Sequence, residues 1–275
     1  MRRAHSVALL AFCLAGCNLP GQSTGGIAIG GEESKTADQV IADARKDTGG
    51  FKTVHVTFST TSKDAGTISF DVSSDANGNV TGGGATGDAK FDIVIIDGTT
   101  YIKGQAFWVK VFANGGTPDP SVQALVQSKI GDHWVSGLDN LGDSTTRSGL
   151  SPPVLADCLG VHGSLSKGGT QSINGKKAIE VQDKGDSPGG RAGSRFIAVD
   201  SPHVLLRLTA SGPTTAGSSP TTGKCAAQAT PAPAPSGSPA PDSGPVTIDY
   251  GDYGKPVSVT KPTDTVDLAS LFTTQ

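Results

Sequence analysis

The sequence predicts an α+β fold built on a mainly antiparallel sheet. Three observations point there. Hydrophobic residues make up 35% of the chain and charged residues 17%, against 38 glycines and 17 prolines; a helical bundle or coiled coil would be richer in Ala, Glu, Lys and Leu. Apolar and polar side chains alternate in several short segments separated by turn residues, the mark of half-buried strands. Helical spacing is confined to a few stretches, which lie between these segments.

The elements follow in order. Ala37, Val40, Ile41 and Ala44 share one face of a helix over 36–48, with Ser34 or Thr36 as its cap and Gly49-Gly50 at its end. The period then changes to two. Val54, Val56 and Phe58 form one strand, and Ile68, Phe70 and Val72 another, with turn chemistry at 75–78. Residues 91–96 and 101–103 flank Asp97-Gly98, a hairpin signal. Residues 107–112 read as a further strand. Asp119-Pro120 opens a second helix whose face holds Val122, Leu125, Val126 and Ile130. A short third helix is expected over 150–159, after Pro152-Pro153. A second strand series comprises 172–173 and 177–182 around Asn174-Gly175, then 195–199 with 204–209, 246–250 and 256–259, before a short helix at 267–272. One wet face of such a sheet requires an apolar cover on the other; the helices at 36–48 and 120–130 are the candidates.

Residues 212–245 stand apart. They hold eight of the seventeen prolines and no aromatic, Val, Ile or Leu, so they cannot bury enough apolar surface to offset their ordering entropy. They read as a disordered Pro/Ser/Thr/Ala-rich insertion between two strands.

The N-terminus reads as an address. Arg2 and Arg3 precede a short apolar stretch at 8–15, and Leu14-Ala15-Gly16-Cys17 has the pattern of a bacterial lipobox. On that reading 1–16 is a lipoprotein signal peptide, and Cys17 becomes the acylated first residue, carrying the two or more chains that stable anchoring needs. Residues 17–33 are then a flexible tether, and 34–275 a single domain outside the cytoplasm, held on the bacterial cell membrane by its lipid anchor. Cys158 and Cys225 remain as one possible disulfide in an oxidising compartment; two unpaired thiols are the alternative. The formal net charge of −3 gives no electrostatic support for a nucleic-acid partner.

Other motifs carry little chemistry. Gly21-Gln22-Ser23-Thr24-Gly25 matches a nucleophile elbow but lacks the strand and helix that motif needs. Gly82 to Gly87 matches a phosphate-loop pattern without a parallel strand–helix context, and a hairpin loop is the simpler reading. Asp75-Ala76-Asn77-Gly78-Asn79 resembles the start of a calcium loop with its glycine misplaced. His55, His133, His162 and His203 are scattered. No catalytic residue, metal site or cofactor is expected.

The lipobox, the following helix and strand meander, Asp97-Gly98-Thr99-Thr100-Tyr101, Trp108, Ile173-Asn174-Gly175, the hairpin from Phe196 to Leu208, and Asp252-Tyr253-Gly254-Lys255-Pro256-Val257 together resemble the LppX/LprAFG family of bacterial cell-envelope lipoproteins. The chain is also similar to carriers of the LolA/LolB type. The resemblance implies a half-barrel: a curved antiparallel β-sheet with helices packed on the concave face and a hydrophobic cavity between them. It implies binding of the acyl chains of a lipid or lipoglycan, for lipid transport or transfer in the envelope, with an envelope transport protein as a possible partner. No enzyme activity comes with it.

The inward-facing candidates for such a cavity are Val54, Val56, Phe58, Ile68, Phe70, Phe91, Ile93, Ile95, Val122, Leu125, Val126, Ile179 and Val181. The same residues could instead make a closed core. A non-transport envelope scaffold, sensor or partner-binding lipoprotein is therefore the alternative function, and a hydrolase with an unrecognised site a further one.

Overall fold

The computed structural model describes residues 31–62, 66–113, 116–137, 150–187, 190–211 and 245–271. The proposed signal peptide, Cys17, almost all of the tether, Cys225 and all of the proline-rich insertion except Pro245 lie outside them. No helix among the described residues is long and apolar enough to cross a membrane.

A capping box opens α1 (Ala37–Gly49): the Thr36 hydroxyl accepts from the Gln39 backbone N–H, and the Gln39 side chain accepts from the Thr36 N–H. The strands are β1 (Thr53–Ser62), β2 (Gly66–Asp75), β3 (Val80–Thr86), β4 (Ala89–Ile96), β5 (Thr99–Lys103), β6 (Trp134–Ser136), β7 (Leu165–Ile173), β8 (Lys176–Asp183), β9 (Gly193–Ala198), β10 (Leu205–Ala210), β11 (Val246–Gly251) and β12 (Thr265–Asp267). Among the described residues, three more helices, α2 (Gln105–Phe112), α3 (Pro120–Lys129) and α4 (Pro152–Leu159), lie between them.

The strands form one open, curved sheet of 12 strands in the order β12-β6-β5-β4-β3-β2-β1-β11-β10-β9-β8-β7. From β1 the chain meanders outward to β6, starts again at the far edge with β7, and returns until β11 pairs with β1. Among the described strands β12 alone is parallel to its neighbour, β6. The expected α+β architecture is therefore present.

Side-chain alternation gives the sheet two unlike faces. On the inner face Val54, Val56, Val72, Val80, Ile95, Ile179, Val181, Ile197, Leu205 and Tyr250 form one buried core with Val40, Ile41 and Ala44 of α1 and Leu155 and Leu159 of α4. Ser74, also buried, donates its hydroxyl to the Leu150 carbonyl at 2.7 Å and ties the approach to α4 to the sheet. On the outer face a smaller cluster (Ile173, Ala178, Phe196, Ala198, Val204, Leu206) packs with Phe51 and Tyr253. The Asp-Tyr-Gly-Lys segment secures it: Tyr253 donates to the Leu205 carbonyl at 2.7 Å, and Gly254 N–H donates to the Thr53 carbonyl at 3.1 Å.

Four sequence expectations are corrected. Residues 107–112 are helical, not a strand: Trp108 and Phe112 sit one turn apart, and Trp108 is buried against Val126, Ile130 and Val135. Gly82, Gly83 and Gly84 are not a hairpin loop but part of β3, paired on both sides by β2 and β4. Residues 256–259 form no strand; the terminal strand is β12, and the expected closing helix is a 3-10 turn at Leu268–Leu271. Finally, α3 packs on α2, and α4 joins α1 as the cover of the inner face.

The Asp75 turn explains the calcium-like pattern: one carboxylate oxygen accepts from the backbone N–H groups of Asn77 and Asn79 at 2.8 and 3.0 Å, and the other from the Asn79 side chain at 2.8 Å. His55 pairs with Asp71 and His133 with Asp264 at the surface.

Candidate functional site on the inner face of the sheet

Strand register places a single row of residues across the inner face. Val181 of β8 lies opposite Arg195 of β9, Arg195 opposite Leu208 of β10, and Leu208 opposite Ile248 of β11. Ile248 faces Phe58 of β1, Phe58 faces Phe70 of β2, Phe70 faces Gly84 of β3, and Gly84 faces Phe91 of β4. From β9 to β4 the row spans roughly 30 Å at about 4.8 Å per strand.

The row crosses from covered to uncovered surface. Where α1 and α4 pack, the inner face is closed. Phe58, Phe70, Leu208 and Ile248 are half-buried, as are Ile68, Ile93 and Val246 beside them. Phe70, Ile93, Leu208 and Ile248 pack against the edge of the main core and keep part of their surface in solvent. The result is an apolar furrow continuous with the core, with no helix packed over it among the described residues. Contiguous apolar side chains left partly in solvent are where interaction sites are found.

Aromatic contacts extend the furrow to α2. Phe58 meets Phe70 at 5.9 Å between centroids, Phe70 meets Phe91 edge-on at 5.5 Å, and Phe91 meets Phe107 at 4.6 Å. Phe107 then contacts Trp108 at 5.3 Å. Gly84 makes this possible: having no side chain, it leaves the space that the Phe91 ring occupies.

The other end of the row is charged. Arg195 Nη1 pairs with Asp183 Oδ2 at 2.7 Å, with the two side chains only 11% and 7% exposed. Nη2 donates to the Val161 carbonyl at 3.1 Å. The second oxygen of Asp183 accepts from the backbone N–H groups of Gly163 and Gly185, at 3.0 and 2.8 Å. Nearby Tyr250 is fully enclosed, and burial pushes its phenol far above the usual tyrosine range.

The thirteen cavity candidates separate into groups. Phe58, Ile68, Phe70 and Ile93 come together in the furrow. Val54, Val56, Ile95, Ile179 and Val181 lie in the closed core, and Phe91 is buried over Gly84. Val126 packs with Trp108 away from the row, Val122 is half-buried on α3, and Leu125 is 39% exposed. Cys158 is half-buried on α4; Cys17 and Cys225 lie outside the described residues.

Sequence reasoning missed Leu208, Ile248 and Arg195. A bulge between Leu205 and Arg207 breaks the alternation of β10, so that Leu206 and Arg207 both serve the outer face before Leu208 returns to the inner one. The alternation of Val246, Ile248 and Tyr250 was the available signal for β11.

The structure is similar to that of LprF from Mycobacterium bovis (15% identity, 82% of this chain and 96% of that one, TM-score 0.49). It is also similar to lipoprotein LppX from Mycobacterium tuberculosis (16%, 81% and 99%, TM-score 0.45) and to a LolA-superfamily protein from Nitrosomonas europaea (11%, 83% and 99%, TM-score 0.27). No family model and no curated protein matches the sequence.

Proposed function

We propose that this chain is a cell-envelope lipoprotein, acylated at Cys17, that binds the acyl chains of a lipid or lipoglycan and carries them within the envelope. One observation carries the reading: Phe58, Phe70, Leu208 and Ile248 form an apolar row, half in solvent, on the inner face of an open sheet. Fully burying a methylene from water is worth about 0.8 kcal/mol, so a tail laid along this surface recovers part of what it gives up on leaving a bilayer. The lipobox pattern at 14–17 supports extracytoplasmic anchoring. The disulfide between Cys158 and Cys225 belongs to the same reading, as does the lack of enzymatic chemistry.

Mass spectrometry under native conditions, on protein extracted from its own membrane, tests this. Co-purifying lipid that is lost in Phe58→Ser and Leu208→Ser supports carriage. Folded protein that is free of lipid and takes none from vesicles refutes it. The closed core under α1 and α4 favours the second reading, an envelope scaffold or partner-binding lipoprotein; that reading gains if the furrow stays empty.

A further inference from the structure

Among the described residues, three buried side-chain polar atoms have no hydrogen-bond partner: Glu32 Oε2, Trp108 Nε1 and Arg195 Nε. Buried polar groups are nearly always paired, so each of these calls for an explanation. Glu32 precedes α1, and Trp108 faces α3, Ile130 and Val135. Arg195 alone sits in the register row, with Leu208 as its cross-strand neighbour at the start of the furrow.

The chemistry of this nitrogen is specific. Nη1 donates to Asp183 and Nη2 to Val161, which leaves Nε as the guanidinium nitrogen with no partner among the described residues. The guanidinium charge is already balanced by a carboxylate 2.7 Å away. A phosphate or a free fatty-acid carboxylate brought here would meet Asp183 as well as Arg195, and the two interactions oppose each other. A neutral carbonyl oxygen accepts a single N–H without that repulsion.

We propose that Arg195 Nε–H is the ester contact of the bound lipid: it donates to the carbonyl oxygen of an acyl ester while that acyl chain runs along Leu208, Ile248, Phe58 and Phe70. This rests on the lipid reading above and narrows it to O-acylated ligands, such as glycerides or acylated glycans, with no requirement for an anionic headgroup.

A tail-matched pair of probes tests it. Dipalmitoylglycerol has two ester carbonyls; dihexadecylglycerol replaces them with ether linkages. Each is titrated against a fluorescent fatty-acyl probe on the wild-type protein. The expected result is about tenfold tighter binding of the ester. Arg195→Lys keeps a cation for Asp183 but has no Nε–H, and it reduces the preference to about twofold or less while both probes still bind. Equal binding of ester and ether by the wild type overturns the inference and leaves the lipid reading standing. An ester preference that persists in a folded Arg195→Lys also overturns it, because the donor is then elsewhere. Failure of both probes to bind the wild type counts against the lipid reading itself. The wild-type comparison decides the matter even if the variant does not fold.

Discussion

The Phe91 ring lies on Gly84: a Cβ at Gly84 would stand 2.6 Å from Phe91 Cζ and 2.5 Å from the Ser69 carbonyl oxygen. A methyl group there must displace both the ring and a strand backbone. Gly84→Ala is therefore expected to cost about 1–3 kcal/mol in urea unfolding. Gly169→Ala, at a bulge in edge strand β7 with nothing within 4 Å of its Cβ, is expected to stay within about 0.5 kcal/mol of wild type.

Buried and exposed members of the candidate set respond differently to truncation. Ile179→Ala removes a buried side chain beneath α1 and is expected to cost about 2–5 kcal/mol. Leu125→Ala, on a residue 39% exposed, changes stability by about 0.5 kcal/mol or less. Loss of comparable stability in both, measured by denaturant midpoint, contradicts the assignment of Leu125 to the exposed side of α3.

Stability has a limb on each side of neutrality, with opposite signs. Asp43 is held below the usual carboxylate range by a hydrogen bond from Lys35, Asp186 by the Ser164 hydroxyl and Asp252 by Lys255. Their stabilisation is present above about pH 4, the ordinary carboxylate value, and is lost as pH falls through the lowered values. Burial raises Tyr250 and Tyr253 well above the ordinary tyrosine value of about 10. Their stabilisation is complete below pH ~10 and is lost as pH climbs towards the raised values, because the unfolded chain releases protons that the folded one retains. Tyr253→Phe costs about 1 kcal/mol at neutral pH through loss of the bond to Leu205, and it flattens the alkaline limb. Thermal melts across this range check both limbs; an unchanged alkaline slope in Tyr253→Phe removes that residue from the explanation.

Strand existence was readable where alternation was clean, as at Val54, Val56 and Phe58, and hairpins where the turn chemistry was strong: Asp97 and Gly98 both adopt positive φ, 52° and 76°. Legibility failed for three physical reasons. The run at 107–112 is short and apolar, so periodicity alone does not separate helix from strand; packing of Trp108 against α3 decides it. Three consecutive glycines in β3 carry no β propensity and are held extended by their neighbours. The row from Arg195 to Phe91 depends on pairing β1 with β11, nearly 200 residues apart, and no local pattern encodes that register. Half of the furrow was accordingly named from sequence, and the half on β10 and β11 was not.

Photocrosslinking is the most direct measurement. A palmitoyl ester with a diazirine on its chain, bound to the folded protein and irradiated, should label peptides of β1, β2, β10 and β11 that contain Phe58, Phe70, Leu208 and Ile248. Excess unlabelled ester should abolish that labelling. Saturable labelling confined to the outer face of the sheet or the exposed side of α3, or labelling that unlabelled ester does not displace, would contradict the inner face as the lipid site.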